Sequence, residues 1–319
     1  MPQVPEEKSK GMMKKTALVL LMTAVLAACQ PVSQAGQSSR AKTALKVIAA
    51  ETFLADMAQN VAGDRLKIEG LMPIGVDPHT FEPTPADVAK VADSDVLIIN
   101  GAGMEAFLDK LLQNAGGQHQ RIEASAGLTS RQLREGEIND PAHTGDPHFF
   151  LDPNNAIRYV ENIRDGLSQA DPAGAAAYRA NADAYIAKLK ELDRWIGDRV
   201  KEVPEANRML VTNHDNFGYF ADRYGFKIIG TVVPSISAGA SPSAEQLAEL
   251  IDHIKAAQAK AIFLERGVNP QLAEQAAKET GSTVVTDLYG DSLGEANGPA
   301  ATYIDMLKYD TNAIVDALK

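Results

Sequence analysis

The 319-residue chain has a single cysteine, Cys29, so no disulfide can form within it. It also lacks any apolar run of roughly 20 residues, the length a helix needs to cross a bilayer. The apolar run from Thr16 to Ala28 falls well short of that. Positive charge is in short supply: 31 lysines and arginines stand against 42 aspartates and glutamates, for a formal net charge of −11. Phosphate backbones need clustered basic side chains, so this balance argues against a nucleic-acid partner. It is compatible with a cation ligand, although an acidic surplus mostly serves solubility. Histidine is rare, with six in the chain, and no His-Glu-x-x-His stretch of the metalloprotease kind occurs.

What is present begins at the N-terminus. Lys8, Lys10, Lys14 and Lys15 precede the apolar run, which ends Leu26-Ala27-Ala28-Cys29. A basic segment, a short apolar core and small residues before a cut describe a secretory signal. An uncleaved membrane anchor is the competing interpretation. Leu-Ala-Ala-Cys resembles the lipobox of bacterial lipoproteins, in which cleavage leaves the cysteine as a lipidated N-terminus. An ordinary signal peptide with a chance cysteine is the alternative, but acylation accounts for an unpaired thiol in an exported protein. Gln30 to Lys42, rich in Ser, Gln, Ala and Gly, then serves as a flexible tether. The signal segment carries four lysines and two glutamates, so its removal moves the net charge from −11 to about −13. The remaining chain, about 290 residues, is long enough for two domains. The expected setting is extracytoplasmic and anchored to a bacterial membrane by lipid.

From Leu45 onward, short runs rich in Val and Ile alternate with segments of helical period. Strand candidates are Leu45–Ala50, Lys67–Met72, Val96–Asn100 and His148–Leu151, then Met209–Thr212, Lys227–Val232, Ala261–Leu264 and Thr283–Thr286. Thr84-Pro85-Ala86-Asp87 supplies a helix start: an N-cap, a proline at the first helical position and an acid near the positive dipole end. Ser241-Pro242-Ser243 supplies another, with Ser243 and Gln246 spaced as a capping box. This alternation predicts an α/β fold of parallel sheets flanked by helices. Four strands precede and four follow one long helix, from about Ala173 to Glu202. There Tyr178, Tyr185, Leu189, Leu192, Ile196, Val200 and Val203 form one stripe at the helical period. At 1.5 Å per residue that helix spans roughly 45 Å, suited to a rigid connection between two lobes. The expected division is signal peptide 1–28, lipidated tether 29–42, N-terminal lobe 43–172, linking helix 173–203 and C-terminal lobe 204–319.

Two of the six histidines, His79 and His148, follow an Asp-Pro pair. Proline fixes its own φ and keeps the preceding aspartate out of the α region, so each Asp-Pro-His is a stiff, non-helical lead-in. His79 follows one strand candidate and His148 opens another, while His214 follows Met209–Thr212. In parallel α/β sheets ligands gather at strand ends, so the three can converge on one cleft. Three imidazoles and a carboxylate make a full ligand set for a transition metal. Taken singly, each is better explained as a hydrogen-bonded loop or core residue, a balance that the repeated Asp-Pro-His shifts toward a ligand. His119 and His253 suit the solvated surface, and His143 is intermediate.

Gly75-Val76-Asp77-Pro78-His79-Thr80-Phe81-Glu82-Pro83-Thr84-Pro85 resembles the first metal motif of the metal-binding lipoproteins that serve bacterial ABC importers. Asp146-Pro147-His148-Phe149-Phe150-Leu151-Asp152-Pro153 resembles the second motif. Asn213 to Phe220 resembles the third and Tyr289 to Gly294 the fourth. With the lipobox and the central helix, the resemblance covers nearly the whole mature chain in order. It implies two α/β lobes joined by one long helix, a metal buried between them, and a membrane permease as partner to a monomeric binding protein. It also implies the ligands: His79 and His148 from the first lobe, His214 and Asp291 from the second.

Zinc-delivering members often carry a His-rich loop before the second motif, whereas Arg131 to Gly145 here holds only His143. Manganese-delivering members often have Glu at the third ligand position, where this chain has His214. Three nitrogens and one carboxylate favour zinc over manganese, which prefers more oxygen. The resemblance implies a non-enzymatic carrier. The competing functions are a metallohydrolase, which would need an open metal position where Asp291 is expected, and a surface adhesin.

Overall fold

The structure, a computed structural model, describes residues 45–131, 145–234 and 242–319. The candidate signal segment, Cys29, the tether, His143 and Ser241 lie outside the described residues. The first half holds β1 (Val47–Ala49), α1 (Thr52–Ala62), β2 (Ile68–Gly70), α2 (Pro85–Ala92), β3 (Val96–Ile99), α3 (Leu108–Ala115) and β4 (Gln120–Glu123). Two helices follow, α4 (Pro153–Ala170) and the long α5 (Ala175–Val200). The second half holds β5 (Met209–Thr212), α6 (Gly218–Tyr224), β6 (Lys227–Thr231), α7 (Ala244–Ala257), β7 (Ala261–Glu265), α8 (Gln271–Thr280), β8 (Thr283–Leu288) and α9 (Tyr303–Leu318).

The strands form two four-stranded sheets of the same order, β2-β1-β3-β4 and β6-β5-β7-β8, and every pairing is parallel. Successive strand residues face opposite sides, and here both sides are covered. Val47, Ala49, Val96 and Ile98 face a central core, while Ile48, Leu97 and Ile99 pack outward with Val91 and Leu111 of α2 and α3. In the second sheet Leu210, Ala261 and Phe263 face the centre, and Val211, Ile262 and Leu264 meet α7 and α8. This two-sided burial explains the continuous Val/Ile runs.

Both helix starts predicted by capping form as reciprocal boxes, Thr84 with Asp87 and Ser243 with Gln246. α5 has 26 residues, about 39 Å of helix, slightly shorter than its sequence pattern suggests because a 3-10 turn occupies Pro172–Gly174. Its buried stripe, Tyr178, Ala182, Tyr185, Leu189, Leu192, Ile196 and Val200, belongs to one core with the inner faces of both sheets. Truncating Leu189 or Leu192 to Ala would cost about 2–5 kcal/mol and loosen the seam between the sheets.

One strand differs from expectation. His148–Leu151 is not a strand: Phe149–Leu151 is a 3-10 turn, with Leu151 N–H on His148 O at 3.1 Å and Asp152 N–H on Phe149 O at 3.0 Å. Asp152 then caps α4, accepting from Asn154 N–H, and Pro153 takes the first helical position. The fourth strand of the first sheet is Gln120–Glu123 at its edge, where only Ile122 is buried.

Candidate metal centre

In both sheets the order reverses beside the first strand, between β1 and β3 and between β5 and β7. Parallel α/β sheets bind ligands outside the carboxyl ends at such a switch point. All four candidate side chains lie on segments leaving carboxyl ends: His79 after β2, His148 after β4, His214 after β5 and Asp291 after β8.

The repeated Asp-Pro-His has one local structure. Asp77 Oδ1 accepts the His79 backbone N–H at 2.8 Å, and Asp146 Oδ1 accepts that of His148 at 3.0 Å. Proline has no N–H to compete, so the aspartate closes on the residue two positions on. The copies then diverge. Asp146 Oδ1 also lies 2.9 Å from His148 Nδ1, whereas Asp77 Oδ2 accepts from the Thr80 hydroxyl at 3.1 Å. A carboxylate only accepts, so Asp146 keeps the proton of neutral His148 on Nδ1 and leaves Nε2 as the electron-pair donor.

The structure brings His79, His148, His214 and Asp291 together, one potential donor atom from each lying within 4.8 Å of all the others. His79 Nε2 is 3.0 Å from His148 Nε2. Asp291 Oδ2 is 3.9 Å from His79 Nε2, 3.7 Å from His148 Nε2 and 3.2 Å from His214 Nε2. Donors arranged tetrahedrally at metal–nitrogen lengths of 2.0–2.1 Å stand about 3.3 Å apart, so these separations straddle the fit. The three imidazoles are wholly enclosed and Asp291 is 7% exposed. A cleft of about 960 Å³, lined among others by Asp77, Asn213, Glu265, Arg266 and Asp291, reaches the group from outside.

His119 stays apart, with its ring nitrogens against the carbonyls of Ser94 and Gly116. His253 sits exposed on α7. Asp287, the other acid near the end of β8, accepts from the Tyr309 hydroxyl and is not in the four-residue group.

Several supporting residues were invisible in the sequence. Glu265, the last residue of β7, places Oε2 3.6 Å from His214 Nδ1 and accepts from the Asn216 amide. Gly290 makes room for it: its φ is +53°, and a Cβ there would sit 2.3 Å from Glu265 Oε1. Asp310 of α9 accepts the N–H groups of Tyr289 and Gly290 at 2.9 and 3.1 Å, fixing the turn that carries Asp291. The turn is also tied to the first half. Gly75 N–H donates to Ser292 Oγ, and Leu293 N–H to Thr52 Oγ1, both at 2.8 Å. Behind His148, Asn100 donates to Pro147 O at 3.1 Å and accepts from the Tyr159 hydroxyl at 2.6 Å. Glu105 accepts the backbone N–H groups of Asn100 and Gly101 and shares the interior with Glu51.

Electrostatics follow from burial and close opposite charges. Burial alone would push His214 down, but Glu265 and Asp291 outweigh it and hold the imidazole up at about 10. His148 is raised on the same logic, burial being outweighed by Asp291 and Asp146. Burial would raise Asp291, yet His148, His214 and His79 hold it well below the usual carboxylate range. Burial pushes Glu265 up to about 8 and Asp310 up to about 7. Glu51 lies well above its ordinary value through burial and the neighbouring Glu105. His148 and His214 therefore hold protons beside an ionised Asp291, and a dication that enters must displace them.

Known proteins share this arrangement of elements. The family model described as ZnuA, zinc-uptake complex component A, periplasmic, matches residues 47–317. The manganese-binding lipoprotein MntA of Halalkalibacterium halodurans is 33% identical over 308 residues, covering 96% of this chain and 99% of that protein. The iron-binding protein YfeA of Yersinia pestis is 34% identical over 295 residues, covering 92% of this chain and 91% of its own. Among solved structures, a Mn-bound periplasmic metal-binding protein from Candidatus Liberibacter asiaticus superposes with TM-score 0.76 at 29% identity, covering 86% of this chain and all of that one. The periplasmic zinc-binding protein TroA from Treponema pallidum gives TM-score 0.76 at 25% identity, covering 86% of this chain and 99% of that one. With a matched model spanning most of its length and relatives a third identical end to end, the chain belongs to the ZnuA family of periplasmic metal-uptake components.

Proposed function

We propose that this chain captures one divalent transition-metal ion outside the cytoplasm and delivers it to the membrane permease of an ABC importer. In this reading His79, His148 and His214 bind through Nε2 and Asp291 through Oδ2. The carrying observation is the convergence of these four donors, from segments of both sheets, within 4.8 Å. The metal is cargo: it is held between the two halves and released, with no chemistry performed on it. A hydrolase needs an open position for water and substrate, whereas here a carboxylate completes the set and all three imidazoles are enclosed.

Zinc is the favoured cargo. The relatives' names divide among manganese, iron and zinc, so the donor set has to decide. Three imidazole nitrogens with one carboxylate suit tetrahedral zinc, while manganese favours more oxygen donors. Cys29, as a lipidated N-terminus followed by the tether 30–42, would keep a monomeric carrier beside its permease. The proposed division remains two lobes, 43–172 and 204–319, with 173–203 as the link. Uptake of radioactive zinc by cells lacking this chain tests the function. Wild-type chain should restore uptake and His214→Ala should not. Equal restoration by both would remove the metal site from transport.

A further inference from the structure

Arg131, in the stretch after β4, points its guanidinium inward, and its side chain is only 7% exposed. Nη1 lies 3.1 Å from Asp146 Oδ2 and 3.7 Å from Asp215 Oδ2, and Nε lies 3.5 Å from Asp222 Oδ2. Asp146 belongs to the first half of the chain, and Asp215 and Asp222 to the second. Both buried acids adjoin the site: Asp146 holds His148 through its other oxygen, and Asp215 directly follows His214. The main chain joins the same seam. Arg131 N–H donates to the Tyr219 hydroxyl at 3.1 Å, and that hydroxyl donates to Asp146 O at 2.8 Å. The second half is shaped to receive the guanidinium. At Gly218, the first residue of α6, a Cβ would lie 2.6 Å from Arg131 Cζ and Nη1.

We propose that Arg131 is a positioning residue for the metal site, a buried cation that keeps the His148 half and the His214 half in register. This rests on His148 and His214 being ligands. A planar guanidinium can engage two carboxylates at once, and here it bridges Asp146 of the first half to Asp215 of the second. Remove it, and Asp146 and Asp215 lose the bridge that joins them across the seam. Losing that contact loosens the seam and frees Asp146 to turn away from the His148 ring. Residues that orient metal ligands typically change affinity by about 10–100-fold, and here the change falls mainly on release.

The test is zinc release from the full chain, followed by stopped-flow mixing with excess chelator. Arg131→Met should release zinc about 10–100 times faster than wild type. Arg131→Lys should fall between, because it keeps the charge and loses the fork. Gly218→Ala changes no charge and is a good helix residue, yet it displaces the guanidinium. It should speed release as well. Should Arg131→Met fail to fold, the lysine and alanine variants decide the matter. Wild-type release in both, with binding lost in His148→Ala, would overturn the role of Arg131 alone. Zinc binding retained by His148→Ala would overturn the site itself.

Discussion

Replacing Asp291 with Ala should weaken zinc binding far more than replacing Asp287, although the two acids are four positions apart. Asp287 reaches away from the site to the Tyr309 hydroxyl. Its loss removes one half-buried hydrogen bond, worth about 0.5–1.5 kcal/mol of stability, and leaves the four donors in place. Asp291 is an ionised carboxylate among three imidazoles, with Oδ2 between 3.2 and 3.9 Å from all three. Its loss removes a donor and the negative charge that offsets the metal. Supporting residues alone cost about 10–100-fold, so loss of a donor should exceed 100-fold, more than about 2.8 kcal/mol. The metal-free protein changes too. Without Asp291, His148 and His214 lose a main cause of their raised values, so the variant should be destabilised more at pH 6 than at pH 9. Competition with a fluorescent zinc chelator gives the affinities, and thermal unfolding at the two pH values gives the second effect. An Asp287→Ala loss equal to or larger than that of Asp291→Ala would place the carboxylate donor at Asp287 and refute this geometry.

Zinc affinity should rise with pH and still be climbing at pH 8, because His214 holds its proton up to about 10 in the metal-free protein; chelator competition between pH 5 and pH 9 would expose a flat profile. Metal-free stability should run the other way. Glu265 and Asp310, raised to about 8 and about 7, lend stability that is complete below about pH 4 and is lost as pH rises through those values. The melting temperature should therefore drop between pH 5 and pH 9, and a rise would contradict the buried-acid assignment. Gly290→Ala should cost about 1–2 kcal/mol for the left-handed backbone alone and lower zinc affinity by displacing Glu265, measured by urea unfolding and chelator competition; wild-type values in both would remove the need for glycine there. Mass spectrometry of the membrane fraction should find an acylated N-terminal cysteine at Cys29, and an unmodified thiol on a soluble mature chain would rule out the anchor.

The sequence exposes whatever depends on local rules. The capping boxes, the proline-led aspartate turns and the α5 stripe each follow from residues within a few positions of one another. Strands buried on both faces announce themselves as Val/Ile runs, as β3 does with Val96–Ile99. β4 does not, because an edge strand needs few apolar residues and Gln120–Glu123 buries only one. Phe149–Leu151 looks like a strand because three consecutive apolar residues carry no period. The prolines on either side and Asp152, needed as a cap, instead bend them into a turn. His79, His148, His214 and Asp291 are legible through their motifs. Glu265, Asp310 and Arg131 are not, since each works through a contact between distant elements: β7 to β5, α9 to β8, and the first half to the second.

The most direct measurement is zinc X-ray absorption on the purified wild-type chain loaded to saturation, with metal content determined on the same sample. One zinc per chain, with three imidazole nitrogens and one oxygen at about 2.0–2.1 Å, is the expected result. A shell of five or six oxygens, or fewer than three imidazoles, would contradict the assignment of His79, His148, His214 and Asp291 as the site that holds the metal.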